Sequence, residues 1–468
     1  MTKRILALIL ALLLGLCLCA CDGDNTGNTD GKTDSSVVSG SSDTASNDTA
    51  STDISDATLT IKVKKGEVTK FKSNRPYDDS KEDITIILVT GQSNFTTSVG
   101  FSSEYGGVAN GKIANFSEVP VIPEKGTCYS SGYRSAITVL SDDRDMNKLC
   151  DASRLDNTLG GVSPSFGIEW NKLTGTKVVF VQAAVGAVGV HEWTPNPDDY
   201  ICECNSNTQL YAKAVEIYKS SYNALSKNYN IVYTGYIWNQ GEHEEVYGKP
   251  ECQSTVNSDQ GYYDAYKSMH YGFMSELGLD FGGISVVRAD KAGATAQGSM
   301  SLTIARNAQY KLCNDIDNLF MISTMSETCA ASAPLDMDKT NTIHYSQATF
   351  NKMGADCASN LYKYLGLADQ NAQFGGIEVY SSVAHKLAAF DKDGKAIGEA
   401  VVAKGLFTNH ILAKLSTLGT NYRINGFSLI AADGTDLSLH VDDFGAIDWT
   451  AASSGRTIKN IEVKCVIE

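Results

Sequence analysis

The sequence predicts an α/β three-layer sandwich, with a parallel sheet of about five strands between helices, followed by a small all-β module. Three observations carry this. Short apolar runs alternate with helix-period segments from about residue 83 to 367. The runs are rich in β-branched residues and end at Gly or polar turn residues. Beyond about residue 369 the apolar period falls to two.

In chain order, residues 1–21 read as a targeting segment. Lys3 and Arg4 precede an apolar stretch over 5–16, too short for a lasting membrane span. It ends Leu18-Cys19-Ala20-Cys21, which resembles a bacterial lipoprotein cleavage box with Cys21 as the lipidated residue. Ordinary secretion with cleavage nearby is the plainer alternative. Residues 22–56 are Ser, Thr, Asp, Asn and Gly with almost no large apolar side chain. Such a segment cannot offset its ordering entropy and reads as a flexible tether.

The α/β domain is expected over 57–368, with strands over 84–89, 177–183, 231–238, 283–287 and 319–324. Helices are expected over 209–225, 262–277, 302–316 and 346–365. Residues 95–164 lack clear periodicity and read as loops. The β module is expected over 369–468, with alternating runs near 377–380, 387–390, 400–402 and 461–466. Turns at Asp391–Gly394 and Ala432–Gly434 separate them, as in a small sandwich.

The formal net charge is -15, with no basic patch, so nucleic acid is not an expected partner. Of twelve Cys, Cys17 and Cys19 leave with the targeting segment and Cys21 would carry lipid. An odd number remains, so not all can pair internally. An exported chain permits Cys128–Cys150 or a bridge among Cys202, Cys204 and Cys252. The histidines show no ligand spacing and no glycine-rich phosphate loop of nucleotide type appears, so neither metal nor cofactor is expected.

Four separate segments fall at expected strand ends. They are Gly91-Gln92-Ser93-Asn94, Gly186-Ala187-Val188-Gly189 with Trp193, Trp238-Asn239-Gln240-Gly241-Glu242, and Asn341-Thr342-Ile343-His344. Ligands bind at the carboxyl edge of open α/β sheets, and sheet topology would bring all four there. A serine there becomes a nucleophile only beside a base and an anion-stabilising pocket.

Together, in this order, the four segments resemble the SGNH hydrolases, in particular the sialate O-acetylesterase and acetyl xylan esterase-like branch. The resemblance spans about residues 84–365 and implies a flavodoxin-like sandwich. It implies Ser93 as nucleophile and His344 as base. It also implies an oxyanion hole from the Ser93 amide, a Gly186-loop amide and the Gln240 side chain. Gly189 and the Ala187 amide compete with Gly186 for that place. The acid of the family's Asp-x-x-His is Asn341 here. Asn341 can orient an imidazole but cannot offset its charge, so Asp338, Asp336 or a backbone carbonyl are rival partners. Glu242 reads as a buried orderer of its loop, His243 as a solvated loop residue, and Trp193 and Trp238 as core or pocket wall.

The expected function is a cofactor-free serine carbohydrate esterase that removes O-acetyl groups from sialic acid or acetylated polysaccharide. It would sit on the bacterial surface, touching the membrane only through its N-terminal lipid. The alternative is a catalytically weakened, glycan-binding surface lipoprotein.

Overall fold

A computed structural model describes most of residues 56–96, 161–196, 210–287 and 296–327, much of 345–468, and a few short strand segments between 108 and 151. Cys21, Ala187, His243, Asp336, Asp338, Asn341 and His344 lie outside the described residues.

The strands, in chain order, begin with β1 (Asp56–Lys65), β2 (Glu82–Gly91), a small hairpin of β3 (Val108–Ala109) and β4 (Lys112–Ile113), β5 (Cys128–Ser130) and β6 (Cys150–Asp151). They continue with β7 (Lys177–Gln182), β8 (Tyr229–Asn239), β9 (Phe281–Ser285) and β10 (Leu319–Ser323). The central sheet has the order β10-β9-β8-β2-β7-β5-β6. Its first five strands are parallel, as expected, and cover the predicted segments within a few residues. Short β5 adds in parallel to β7, and β6 closes the edge antiparallel to β5. The register sets Cys150 opposite Ser130 rather than Cys128.

Strand alternation explains the two helical layers. Ile84, Ile86 and Leu88 of β2 face one way, with Val179 and Val181 of β7. There they meet α2 (Leu210–Leu225), α3 (Asp259–Leu277) and α4 (Ala296–Asp315). Ile87 and Val89, with Val178 and Phe180, face α1 (Ser163–Thr174) and α5 (Gln347–Tyr364). Each such buried aliphatic side chain contributes roughly 1.5–3 kcal/mol. Helix α1 was not among the expected helices, and its first two residues fall in the stretch read as loops; Pro164 in its first turn fits a helix start, and Phe166 and Trp170 fill its buried face. Helices α1 and α5 meet at Gly354, where a Cβ would lie 2.3 Å from the Val162 carbonyl oxygen.

The accessory strands are β11 (Ile377–Ser381), β12 (His385–Asp391), β13 (Ala396–Gly398), β14 (Val402–Lys404), β15 (Leu412–Leu415), β16 (Tyr422–Ala431) and β17 (Asn460–Ile467), with a short α6 (Trp449–Ala452). They form two sheets, β13-β12-β17-β1-β16 and β14-β11-β15. Strand β1 therefore belongs to the module and not to the α/β domain, where the expected boundary at 57 had placed it. It lies parallel to β17 and antiparallel to β16. Its Leu59, Ile61 and Val63 are fully buried against Leu429, Val463 and Cys465.

The module grips the end of α4. Arg423 Nη1 donates to the carbonyls of Cys313 (2.6 Å) and Asn314 (2.5 Å). These are terminal carbonyls that a helix leaves unsatisfied, and a cation also suits that end of the dipole. Asn314 exchanges two hydrogen bonds with the Ile424 backbone. Residues Ser51–Glu468 form one compact unit.

Candidate active site

The nucleophile turn is fixed by backbone before any side chain acts. Gly91 ends β2 with φ +100°, opposite Asn239 of β8. A Cβ there would lie 2.2 Å from the Asn239 carbonyl oxygen. That oxygen accepts the Gln92 N–H at 3.0 Å. Only Gly combines this dihedral with this approach. The chain then makes a single 3-10 turn, Ser93–Phe95, in which Thr96 donates N–H and Oγ1–H to the Ser93 carbonyl. Asn94 and Phe95 are buried while Ser93 stays partly exposed. The serine thus stands at the carboxyl edge of the sheet, as expected.

Two of the other segments close on it. After β7, Ala183 and Val185 donate to the carbonyls of Val89 and Gly91. This brings Gly186 against the serine: a Cβ on Gly186 would lie 3.6 Å from Ser93 Cβ. After β8, Gln240 and Glu242 are almost wholly buried. Glu242 Oε1 accepts from Asn94 Nδ2 at 2.7 Å. On its other side Asn94 Oδ1 accepts the N–H of Tyr345 at 3.3 Å. Tyr345 is fully buried and follows His344 in sequence.

Gln240 does not match its expected role. Its Nε2 donates to the Val188 carbonyl (3.1 Å) and to Glu244 Oε1 (2.6 Å), which commits both amide hydrogens. Its Oε1 accepts from the Tyr262 hydroxyl at 3.0 Å. The side chain braces the Gly186 loop and has no hydrogen left for an oxyanion. Glu244 shares that task, its Oε1 also taking the Val190 N–H at 2.6 Å. Burial pushes the Glu244 carboxyl up to about 7, although the Val190 and Gln240 donors pull the other way. Sequence reasoning missed Glu244; its spacing of two from Glu242 was the available signal.

Trp193 and Trp238 are fully buried and pack edge to face at 5.6 Å, so they are core. Neighbouring His191 is held by burial at about 4, and hence neutral at pH 7. Among the described residues no cluster of three or more His, Cys, Asp or Glu is placed to hold a metal.

Residues 83–363 match the family model described as carbohydrate esterase, sialic acid-specific acetylesterase. The chain belongs to this family. The match runs from the first strand of the central sheet nearly to the end of α5 and includes all four strand-end segments. Among curated proteins, none matches the chain. Solved structures with partial similarity include a protein of Arabidopsis thaliana, at 16% identity and TM-score 0.36, covering 61% of this chain and 98% of that one. A carbohydrate acetylesterase from Xanthomonas citri aligns at 12% identity and TM-score 0.40, covering 76% of this chain and 79% of its own. A carbohydrate esterase family 2 enzyme of Corynascus, carrying a carbohydrate-binding domain, aligns at 12% and 0.31, covering 63% and 69%.

Proposed function

We propose that this esterase-family chain hydrolyses O-acetyl esters on glycans through an acetyl-Ser93 intermediate, on the outer face of a bacterial membrane. The observation that carries the reading is the contact of the Ser93 turn with Gly186, within a family match that includes both. Ser93 Oγ attacks the acetyl carbonyl as His344 takes its proton. The carbonyl π pair moves onto oxygen, which the N–H groups of Ser93 and Gly186 receive. Collapse expels the sugar oxygen, which takes the proton back from His344. Water then attacks acetyl-Ser93 by the same route and releases acetate. Each oxyanion donor contributes about 3–4 kcal/mol to such a step. Asn341 orients His344 without offsetting its positive charge, so the rate should be modest. Acetylated sialic acid and acetylated plant polysaccharide are the two substrate classes, and Cys21 is the lipid attachment point.

The test is p-nitrophenyl acetate hydrolysis by the soluble fragment, lacking residues 1–21, beside its Ser93→Ala variant. Ser93→Ala should lose at least about a thousandfold in kcat. Equal rates would overturn the reading and select the rival, a glycan-binding protein without turnover, which Asn341 favours. O-acetylated sialosides and xylo-oligosaccharides then distinguish the substrate classes.

A further inference from the structure

Asn94 is the side chain through which the nucleophile turn touches two other segments at once. It is fully buried, its Nδ2 donating to Glu242 Oε1 and its Oδ1 accepting from the Tyr345 N–H. A carboxamide can do both in one fixed plane; a carboxylate has no hydrogen to give. The bond to Glu242 is closed to water, a condition under which it is both stronger and more geometrically exacting.

Glu242 is itself immobilised. It is 2% exposed and follows Gly241, whose φ is +154°. A Cβ on Gly241 would lie 2.8 Å from Ala305 Cβ and 3.0 Å from Val287 Cβ, so the loop is pressed onto α4 and the segment just after β9. The series Glu242, Asn94, Tyr345 therefore runs from a fixed point after β8, past the nucleophile, to the residue after His344.

We propose that Asn94 and Glu242 are positioning residues for acyl transfer: their hydrogen bond holds the Ser93 turn in register with the segment that carries the base. This rests on the esterase reading above. Neither residue touches the reacting atoms. Their effect is on alignment, where an error of about 1 Å costs on the order of a hundredfold in rate.

The decisive comparison reverses the bond at constant charge. In Asn94→Asp the Tyr345 contact can persist, but the amide donor is gone and two buried carboxyl groups must either repel or share one proton at a different geometry. Adding Glu242→Gln restores a donor from the opposite side, Gln Nε2 to Asp Oδ. Asn94→Asp should lose about a hundredfold in kcat on p-nitrophenyl acetate with KM within about threefold. The double variant should recover to within about tenfold of the parent, as should Glu242→Gln alone, which keeps an acceptor. Urea midpoints are measured in parallel. A double variant that regains the parental midpoint without regaining kcat overturns the proposal. So does an Asn94→Asp variant within about threefold of the parental kcat. Ser93→Ala separates the two levels: if it matches the parent, the esterase reading fails. If it is dead and the reversed pair does not rescue, only the positioning role fails.

Discussion

Glu244 gives the sharpest thermodynamic test of the structure. Its carboxyl is partly buried, accepts from Val190 and Gln240, and titrates at about 7 instead of the ordinary 4.5. Between those values the folded chain holds a proton that the unfolded chain has released. This group's contribution is therefore greatest below pH 4.5, declines as pH rises, and is lost above about 7. At ~1.4 kcal/mol per pH unit, the span from 4.5 to about 7 corresponds to about 3.5 kcal/mol. Glu244→Gln is a neutral isostere that keeps the Oε1 acceptor for both donors. Urea unfolding, followed by the fluorescence of the buried tryptophans, should be run on both proteins from pH 4.5 to 8.5. The variant should gain on the parent by about 3.5 kcal/mol across the lower part of this range, then run parallel above pH 7. A difference that stays constant within about 0.5 kcal/mol over the whole range would show that Glu244 is ionised throughout, and the burial argument would fail.

Three further outcomes are expected. Gly91→Ala forces a side chain into positive φ and against the Asn239 carbonyl; it should cost more than about 3 kcal/mol in urea unfolding and most of the esterase activity. Gly186→Ala has room for its Cβ and should keep kcat within about threefold, whereas Gly186→Leu, crowding Ser93, should lower kcat on p-nitrophenyl acetate about a hundredfold. Arg423→Ala removes the cap on α4 and should lower stability by about 1–3 kcal/mol without changing KM, as read by urea unfolding beside steady-state kinetics.

The parallel strands were readable because they are buried on both faces, so β2 and β7 spell near-continuous apolar runs. The helices α2 to α5 were readable from their period. Helix α1 was not, because Gly161, Pro164 and Gly167 punctuate it as a loop would be punctuated; its helicity comes from packing on β7 and α5. Strand β1 alternates cleanly, but alternation does not say which sheet a strand will join. In the site, the position of Ser93 was written in local sequence, since one strand and one Gly determine it. The work of Gln240 was not. Whether an amide faces a substrate or a neighbouring loop depends on Glu244 and Val188, contacts set only when two strand ends meet.

The pairing of β1 also fixes an order of events during synthesis. Its partners, residues 422–431 and 460–467, leave the ribosome long after it, behind every strand of the central sheet. The central sheet, complete once β10 is made, can close first. Until then β1 waits with Leu59, Ile61 and Val63 uncovered and both edges unpaired, separated from its partners by the entire α/β domain. Such a closure across distant sequence is slow and exposes an aggregation-prone strand. Truncation within β17 would leave β1 without its parallel neighbour, so damage there would be felt on the far side of the α/β domain in sequence.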